Sequence, residues 1–367
     1  MLCLDKLKGS LTATAACAAL ARGITAAAPD WDVRQRPVAD GGEGTVDALV
    51  AAGWARVTTR VDGPLGDPVD ADLAVRGATA VVEMAQASGL DLVGPHPDAL
   101  RAGTRGTGQL VLAALDRGCT EVVLAVGGSA STDGGAGLLQ ALGARLTTRT
   151  GAELAPGGAA LTELTTVDLA GLDPRLAHTH VVLASDVENP LLGPDGAAAV
   201  YGPQKGASPG EVMVLEQGLD RLAAQLPDGR RHAERPGAGA AGGTGFAALA
   251  VLGAHRTSGA DLVLEEAGLA ADVAGADLVV VGEGRLDAQS LSGKAPVRVA
   301  ELARRHGVPV VAVAGEVTAG PAELRAAGID RTHQLLDHAP DRGSAIRDAA
   351  ALLERIGVLL VSELSRP

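Results

Sequence analysis

Aromatic side chains are almost missing from this 367-residue chain, which has two Trp, one Tyr and one Phe. Stacking of single-stranded bases on aromatic faces is therefore not available to it, and its cores must be aliphatic, built from Ala, Val and Leu. Cysteine is equally sparse: Cys3, Cys17 and Cys119 are odd in number and share no C-x-x-C spacing. That pattern indicates neither a disulfide framework nor a zinc site, and it points to a reducing compartment. No uninterrupted apolar run reaches membrane length and nothing resembles a signal peptide. Positive charge is in deficit. The formal net charge of −13 argues against a nucleic-acid surface and for an ordinary cytoplasmic protein.

Lysine is the scarcest cation, and its placement is informative. Only Lys6, Lys8, Lys205 and Lys294 stand among 27 arginines. On a solvated surface the two cations are largely interchangeable, so lysines kept in so biased a composition mark places where a compact ammonium is needed, as beside phosphate. All four lie next to glycine-rich sequence. Asn189, Tyr201 and Phe246, each the single residue of its type, also fall within unusual segments.

The richest stretch is 277–294. An apolar run of strand length, Leu278 to Val281, stops at Gly282, and Glu283, Arg285, Asp287, Gln289 and Lys294 follow within thirteen residues. A strand feeding a charged loop is how open α/β sheets build their ligand crevice, and this set of charges suits a metal-bound polyphosphate.

The ends of the chain have βαβ rhythm. Met1 to Leu4 reads as the end of a first strand, shorter than the usual five to six residues, so a few residues are expected to be missing before it. Ser10 or Thr12 caps a helix to about Ala28, and Asp32 to Pro37 is a short strand. Between them the middle starts as an antiparallel meander, with runs 55–61, 69–75 and 79–83. It goes on through strands 121–126 and 179–184, a helix 209–225 and a charged loop 230–234. From 278 the rhythm returns, ending in one helix over 344–364. The expectation is an α/β protein: a discontinuous Rossmann-like parallel-sheet domain from residues 1–66 and 262–367, an inserted α/β domain with a mixed sheet over 67–261, and an active site in the cleft between them.

Residues 127–135 are the clearest anion loop. Gly127 and Gly128 with Ser129, Ser131 and Thr132 place amides and hydroxyls before a helix, where phosphate is favoured, and Asp133 suits a metal ion. Asp186 and Asn189, at a strand end before Pro190, form a second acidic candidate. Two motifs are declined. Residues 237–242 match G-x-G-x-x-G but follow a charged, proline-ended segment instead of a buried strand, and His178-x-His180 has no third ligand. No Walker A sequence is present, since Gly293-Lys294 is followed by Ala295.

Eight segments in order resemble the glycerate kinase family, in its bacterial type with a flavodoxin-like domain and an inserted second domain. They are Asp5–Ser10, Ala39–Thr45, Gly106–Gln109, Gly127–Gly135, Ser185–Leu191, Tyr201–Ala207, Pro236–Gly243 and Gly282–Asp287. The resemblance spans nearly the whole chain. It departs at Leu7, where an aromatic is common. It implies Mg²⁺- and ATP-dependent phosphorylation of D-glycerate, with 2-phosphoglycerate the usual product. On that basis Gly127, Gly128, Ser129, Ser131 and Lys294 or Lys205 are expected to hold nucleotide phosphates, with Mg²⁺ near Asp186 or Asp133. Lys8, Ser10 and Arg285 would grip the glycerate carboxylate, and Asp287 or Asp186 would accept the hydroxyl proton. Asp40, Glu43, Asn189 and Glu283 would complete the substrate shell. A monomer or homodimer is expected. The alternatives are a kinase of another small hydroxy acid and a non-catalytic nucleotide-binding regulator.

Overall fold

A computed structural model describes residues 1–291 and 293–364. Its strands are β1 (Leu2–Leu4), β2 (Ala55–Asp62), β3 (Pro68–Arg76), β4 (Thr79–Glu83), β5 (Glu121–Ala125), β6 (Arg145–Thr148), β7 (Leu164–Asp168), β8 (His180–Ala184), β9 (His255–Thr257), β10 (Val279–Leu286), β11 (Val310–Val317) and β12 (Arg331–Gln334). The chain divides into two compact units. The first holds residues 1–40, 47–53 and those from 260 onward, and the second holds 41–46 and 54–259.

The first unit is built on a parallel sheet in the order β1-β10-β11-β12. Strands β1, β10 and β11 carry apolar residues on both faces, as parallel strands covered on both sides must, while β12 at the edge is polar and partly exposed. Alternation sorts them: Leu2, Leu4, Val280, Val311 and Val313 face the helices Ala13–Ala27 and Ala349–Leu364, while Cys3, Val279, Val281, Val310 and Ala312 face the helix Ala295–Arg305. The strand expected over 32–37 is reduced to a single parallel bridge, Leu2 to Gln35. Flanking hydrogen bonds run from Leu2 N to Arg34 O, Arg36 N to Leu2 O and Val38 N to Leu4 O. Pro37 has no N–H to give a further neighbour. Counting this segment, the spatial order is that of a flavodoxin-like sheet, 2-1-3-4-5.

Gly282 does not end its strand. β10 runs on to Leu286 because glycines let the β10 and β11 backbones pass closely: a Cβ on Gly282 would lie 2.1 Å from Val313 O, and one on Gly315 would lie 2.4 Å from Gly284 O. Glu283 and Arg285 therefore project from one face of a strand instead of a loose turn. The terminal helix also differs from expectation. It breaks at Asp348 into Arg342–Arg347, capped by Asp341, and Ala349–Leu364.

In the second unit the sheet is mixed, β2-β3-β4-β5-β8-β9, antiparallel through β4 and parallel from there to β9. A boundary at 66/67 would cut β2 from β3, which pair along their whole length from Ala55–Val75 to Asp62–Pro68; the division falls after Gly53 instead. The β6–β7 hairpin and β9 were not legible as strands. Residues 230–234, read as a loop, lie mostly in a short helix, Gly229–Ala233. The helix expected over 209–225 is present as Pro209–Gln225, with Ser208 and Glu211 forming a capping box.

Two glycines give opposite expectations. At Gly23 a Cβ would meet Glu354 O at 1.9 Å, so Gly23→Ala should destabilise by roughly 2–4 kcal/mol through forced separation of two packed helices. At Gly210, in the first turn of its helix, a Cβ meets nothing, so Gly210→Ala should stabilise by about 0.4–1 kcal/mol. Urea midpoints of the two variants check both signs.

Candidate functional site

The carboxyl ends of β1, β10 and β11 open into a pocket of about 370 Å³. It lies where the strand order reverses, the place at which an open α/β sheet leaves a crevice. Asp5 leaves β1 with its amide bonded to Gly282 O at 2.8 Å, so the ladder fixes its root. The residue is 4% exposed. Its Oδ1 accepts the Lys6 amide at 2.6 Å, and the Lys6 ammonium stands 3.9 Å from both Asp5 and Asp40. From β10 comes Glu283, 3.7 Å from the Lys294 ammonium, with its Oε1 buried and without a hydrogen bond. Burial pushes Glu283 above the usual carboxylate range and pushes Asp5 up to about 7, with Lys6 opposing.

The outer part of the pocket is guanidinium-rich. Arg285 Nε is 3.6 Å from Glu316 Oε2 and 3.8 Å from Asp287 Oδ2, and Arg342 Nη2 is 3.7 Å from the same Glu316 oxygen. Glu316 Oε2 has no hydrogen-bond partner, so it draws the two arginines together without a short bond to either. Lys8 is exposed and forms no ion pair among the described residues. Asp287 caps the helix Ala288–Leu291, its Oδ1 accepting the amides of Gln289 at 2.9 Å and Ser290 at 3.1 Å. Burial acts to raise Asp287, but those amides, Lys294 and Arg285 outweigh it and hold the carboxyl below its usual range. Leu335, Leu336, Ile346 and Ala349 supply an apolar wall.

Seven of the residues singled out in the sequence meet here: Lys8, Ser10, Asp40, Glu283, Arg285, Asp287 and Lys294. Ser10 is already engaged, its hydroxyl donating to Ile346 O at 2.6 Å. Lys6, marked by the scarcity of lysine but given no role, lines the pocket as well, and three pocket residues were missed. Asp5 sits inside a quoted segment, and Glu316 follows an apolar run and Gly315 in the same pattern as Glu283, so both had a signal. Arg342 had none.

In the second unit the loop 127–135 is packed tightly. A Cβ on Gly127 would lie 2.5 Å from Gly42 Cα and one on Gly128 2.3 Å from Glu43 Oε1. Lys205, 2% exposed, donates to Ser129 Oγ at 2.8 Å and to Ser131 O at 2.5 Å. Its ammonium thus braces the loop from within, where it was expected to meet phosphate directly. Burial lowers it to about 7, with Asp133 opposing. Asp133 is no open metal ligand. Its Oδ2 accepts Thr104 N, Thr104 Oγ1 and Gly137 N, and its Oδ1 accepts Gly135 N, at 2.8–3.1 Å. Asn189 is likewise spent within the protein, accepting from Tyr201 at 2.7 Å and donating to Asp195 O at 2.8 Å. Asp186, exposed after β8, accepts the Gly259 amide at 3.1 Å. Among the described residues no three His, Cys, Asp or Glu side chains gather to hold a metal ion, although Mg²⁺ carried by a nucleotide needs only one or two carboxylates.

A flavodoxin-like sheet with a mixed ionic pocket at its switch point, in a chain that also carries a glycine- and serine-rich loop before a helix, is a construction that suits a phosphotransferase. Comparison with known proteins is specific. The family model described as "Glycerate kinase family" matches residues 1–364. A glycerate kinase of Bacillus subtilis (strain 168) is 44% identical over 357 residues, covering 96% of this chain and 94% of the relative. A glycerate 2-kinase of Escherichia coli (strain K12) is 42% identical over 351 residues, covering 94% and 92%. A crystal structure from Salmonella typhimurium LT2, provisionally assigned as glycerate kinase 2, superposes with a TM-score of 0.81 at 39% identity, covering 99% of this chain and 97% of the other. The chain belongs to the glycerate kinase family and is a kinase. No helix among its described residues is long and apolar enough to cross a membrane.

The buried Lys205 has a signature in stability. Its ordinary value is near 10.5 and its folded value near 7, so between those limits the unfolded chain binds more protons and stability rises with pH. Relative to Lys205→Met, the wild type should gain stability as pH goes from 7 to 10. Denaturation midpoints of the pair across that range test this; an equal or opposite trend would contradict it.

Proposed function

We propose that this chain transfers the γ-phosphoryl group of ATP to D-glycerate and releases 2-phosphoglycerate. The observation that carries this reading is the pocket of the first unit, where Lys8, Arg285 and Arg342 stand beside the acid cluster of Asp5, Asp40 and Glu283. A three-carbon hydroxy acid offers the complement: a carboxylate for the cations and a hydroxyl for the acids. The name of the E. coli relative, glycerate 2-kinase, supports the product.

In this reading Arg285 and Arg342 hold the substrate carboxylate, with Glu316 keeping them side by side, and Lys8 adds a point charge. Phosphoryl transfer asks mainly for positioning and charge stabilisation. Lys294 is the ammonium available to a transferring phosphoryl group at this pocket. The amides and hydroxyls of residues 127–131 receive the nucleotide phosphates, with Lys205 keeping their loop in shape. Mg²⁺ bound with the nucleotide would supply charge neutralisation across the phosphates. Asp186 is the carboxylate suited to it, and Asp133, enclosed by its own hydrogen bonds, is not. Cytoplasmic residence belongs to the same reading and accords with three buried free cysteines.

The pocket volume and the apolar wall favour one second reading, phosphorylation of a hydroxy acid larger than glycerate, which a substrate panel would separate. The direct test is incubation with D-glycerate, ATP and Mg²⁺, with enolase alone reporting phosphoenolpyruvate. Signal without added mutase is expected; signal only with mutase would mean 3-phosphoglycerate, and none with either would defeat the reading. Arg342→Ala should raise the KM for D-glycerate at least tenfold and leave that for ATP within twofold. Equal changes in both would remove Arg342 from the carboxylate site.

A further inference from the structure

We propose that Asp5 is the proton acceptor of this reaction, its second carboxylate oxygen taking the hydroxyl proton of the substrate as that hydroxyl oxygen attacks the γ-phosphorus. The proposal rests on the glycerate kinase reading above and goes beyond it in naming a base that the sequence did not single out.

Position comes first. Asp5 is the residue immediately after β1, and its amide bond to Gly282 O extends the β1–β10 ladder by one rung, so its Cα is as fixed as the sheet. Oδ1 is pinned by the Lys6 amide. Oδ2 accepts no hydrogen bond among the described residues and is not among the buried unpartnered atoms, and the residue lines the pocket. One carboxylate oxygen is held and the other is left to a ligand.

The other acids are less suited. Asp287 spends an oxygen on two amides and is held acidic, which makes it a weak base. Glu283 faces Lys294. Asp40 stands as far from Lys6 as Asp5 does but is more open to water. Asp186 is in the other unit and accepts the Gly259 amide.

The surroundings of Asp5 tune it for the task. Burial in the pocket raises its basicity, Lys6 and its own amide bond lower it, and the like charges of Asp40 and Glu283 raise it again, to about 7 in balance. Lys294 adds a positive charge beyond Glu283, and Lys8, Arg285 and Asp287 line the same pocket. A base that titrates near the working pH combines availability with driving force, as an ordinary exposed aspartate does not. The step balances. The substrate O–H bond breaks with its proton passing to Asp5, the substrate O–P bond forms, the bond from the γ-phosphorus to the bridging oxygen breaks with its electron pair leaving on ADP, and Asp5 later returns the proton to water.

The test is Asp5→Asn, followed by kcat, both KM values, pH profile and thermal midpoint. We expect kcat to fall about 10²–10⁴-fold with the KM for each substrate within threefold. In the wild type, kcat/KM should climb with pH to a break near 7 and then level, and that acid limb should be absent from the variant. A limb due to the ATP phosphates would persist in both. At pH 8 the variant should melt no lower than the wild type, because it removes a buried charge. Lys6→Met provides an independent arm: loss of the neighbouring ammonium should move the acid limb to higher pH. An Asp5→Asn enzyme within fivefold of wild-type kcat, or one that keeps the limb, overturns the assignment while the kinase reading stands. A wild type inactive with D-glycerate in the enolase assay overturns both.

Discussion

A single rung of backbone, the Asp5 amide on the Gly282 carbonyl at 2.8 Å, ties the end of β1 to the middle of β10, and the chemistry of the first unit depends on it. β1 is only three residues long, but all three are buried between two layers of helices, so its end is as well placed as that of a longer strand. On one side of the rung the chain turns into Asp5, Lys6 and Lys8; on the other, β10 carries Glu283 and Arg285 outward at a spacing of two. Glycine makes this possible. Gly282 and Gly315 let neighbouring backbone lie closer than any side chain would allow, and a functional strand end gains precision from that closeness.

The pocket is electrostatically frustrated in a useful way. Five acids and five bases line it, but the distances between them are mostly 3.6–3.9 Å, longer than good charge-assisted hydrogen bonds. Oxygens of Glu283 and Glu316 are buried without a hydrogen bond. Such groups are costly to the fold unless a ligand completes them, which is the usual mark of a preorganised site. The second unit solves the opposite problem. There Asp133 and Lys205 are both buried and both fully occupied in shaping a glycine-rich loop, so their charges serve the backbone that a phosphate would meet.

Much of this was legible in the residues. The two-sided apolar runs of β10 and β11, the meander β2–β4 and the capped helices followed from periodicity and turn chemistry, and the scarcity of lysine drew attention to the segments that line the pocket and to Lys205 under the glycine-rich loop. What was hidden has physical reasons. Glycine at 282 read as a strand stop because sequence cannot distinguish a break from a close approach. Lys205 and Asp133 read as ligand-facing because burial, which turns them inward, is a property of the folded loop. The edge segment 34–38 is held by an isolated bridge, too little to be counted as a strand. Arg342 enters the pocket from a helix start that looks like any surface turn, and nothing in its neighbours announces Glu316 as its partner.

The central claim is that the pocket of the first unit receives the acid substrate, and the most direct measurement is a crystal structure with D-glycerate bound. The account requires the carboxylate within hydrogen-bond reach of Arg285 and Arg342 and a hydroxyl facing Asp5. Glycerate found instead among residues 127–131 of the second unit, with the first pocket holding only water, would contradict it.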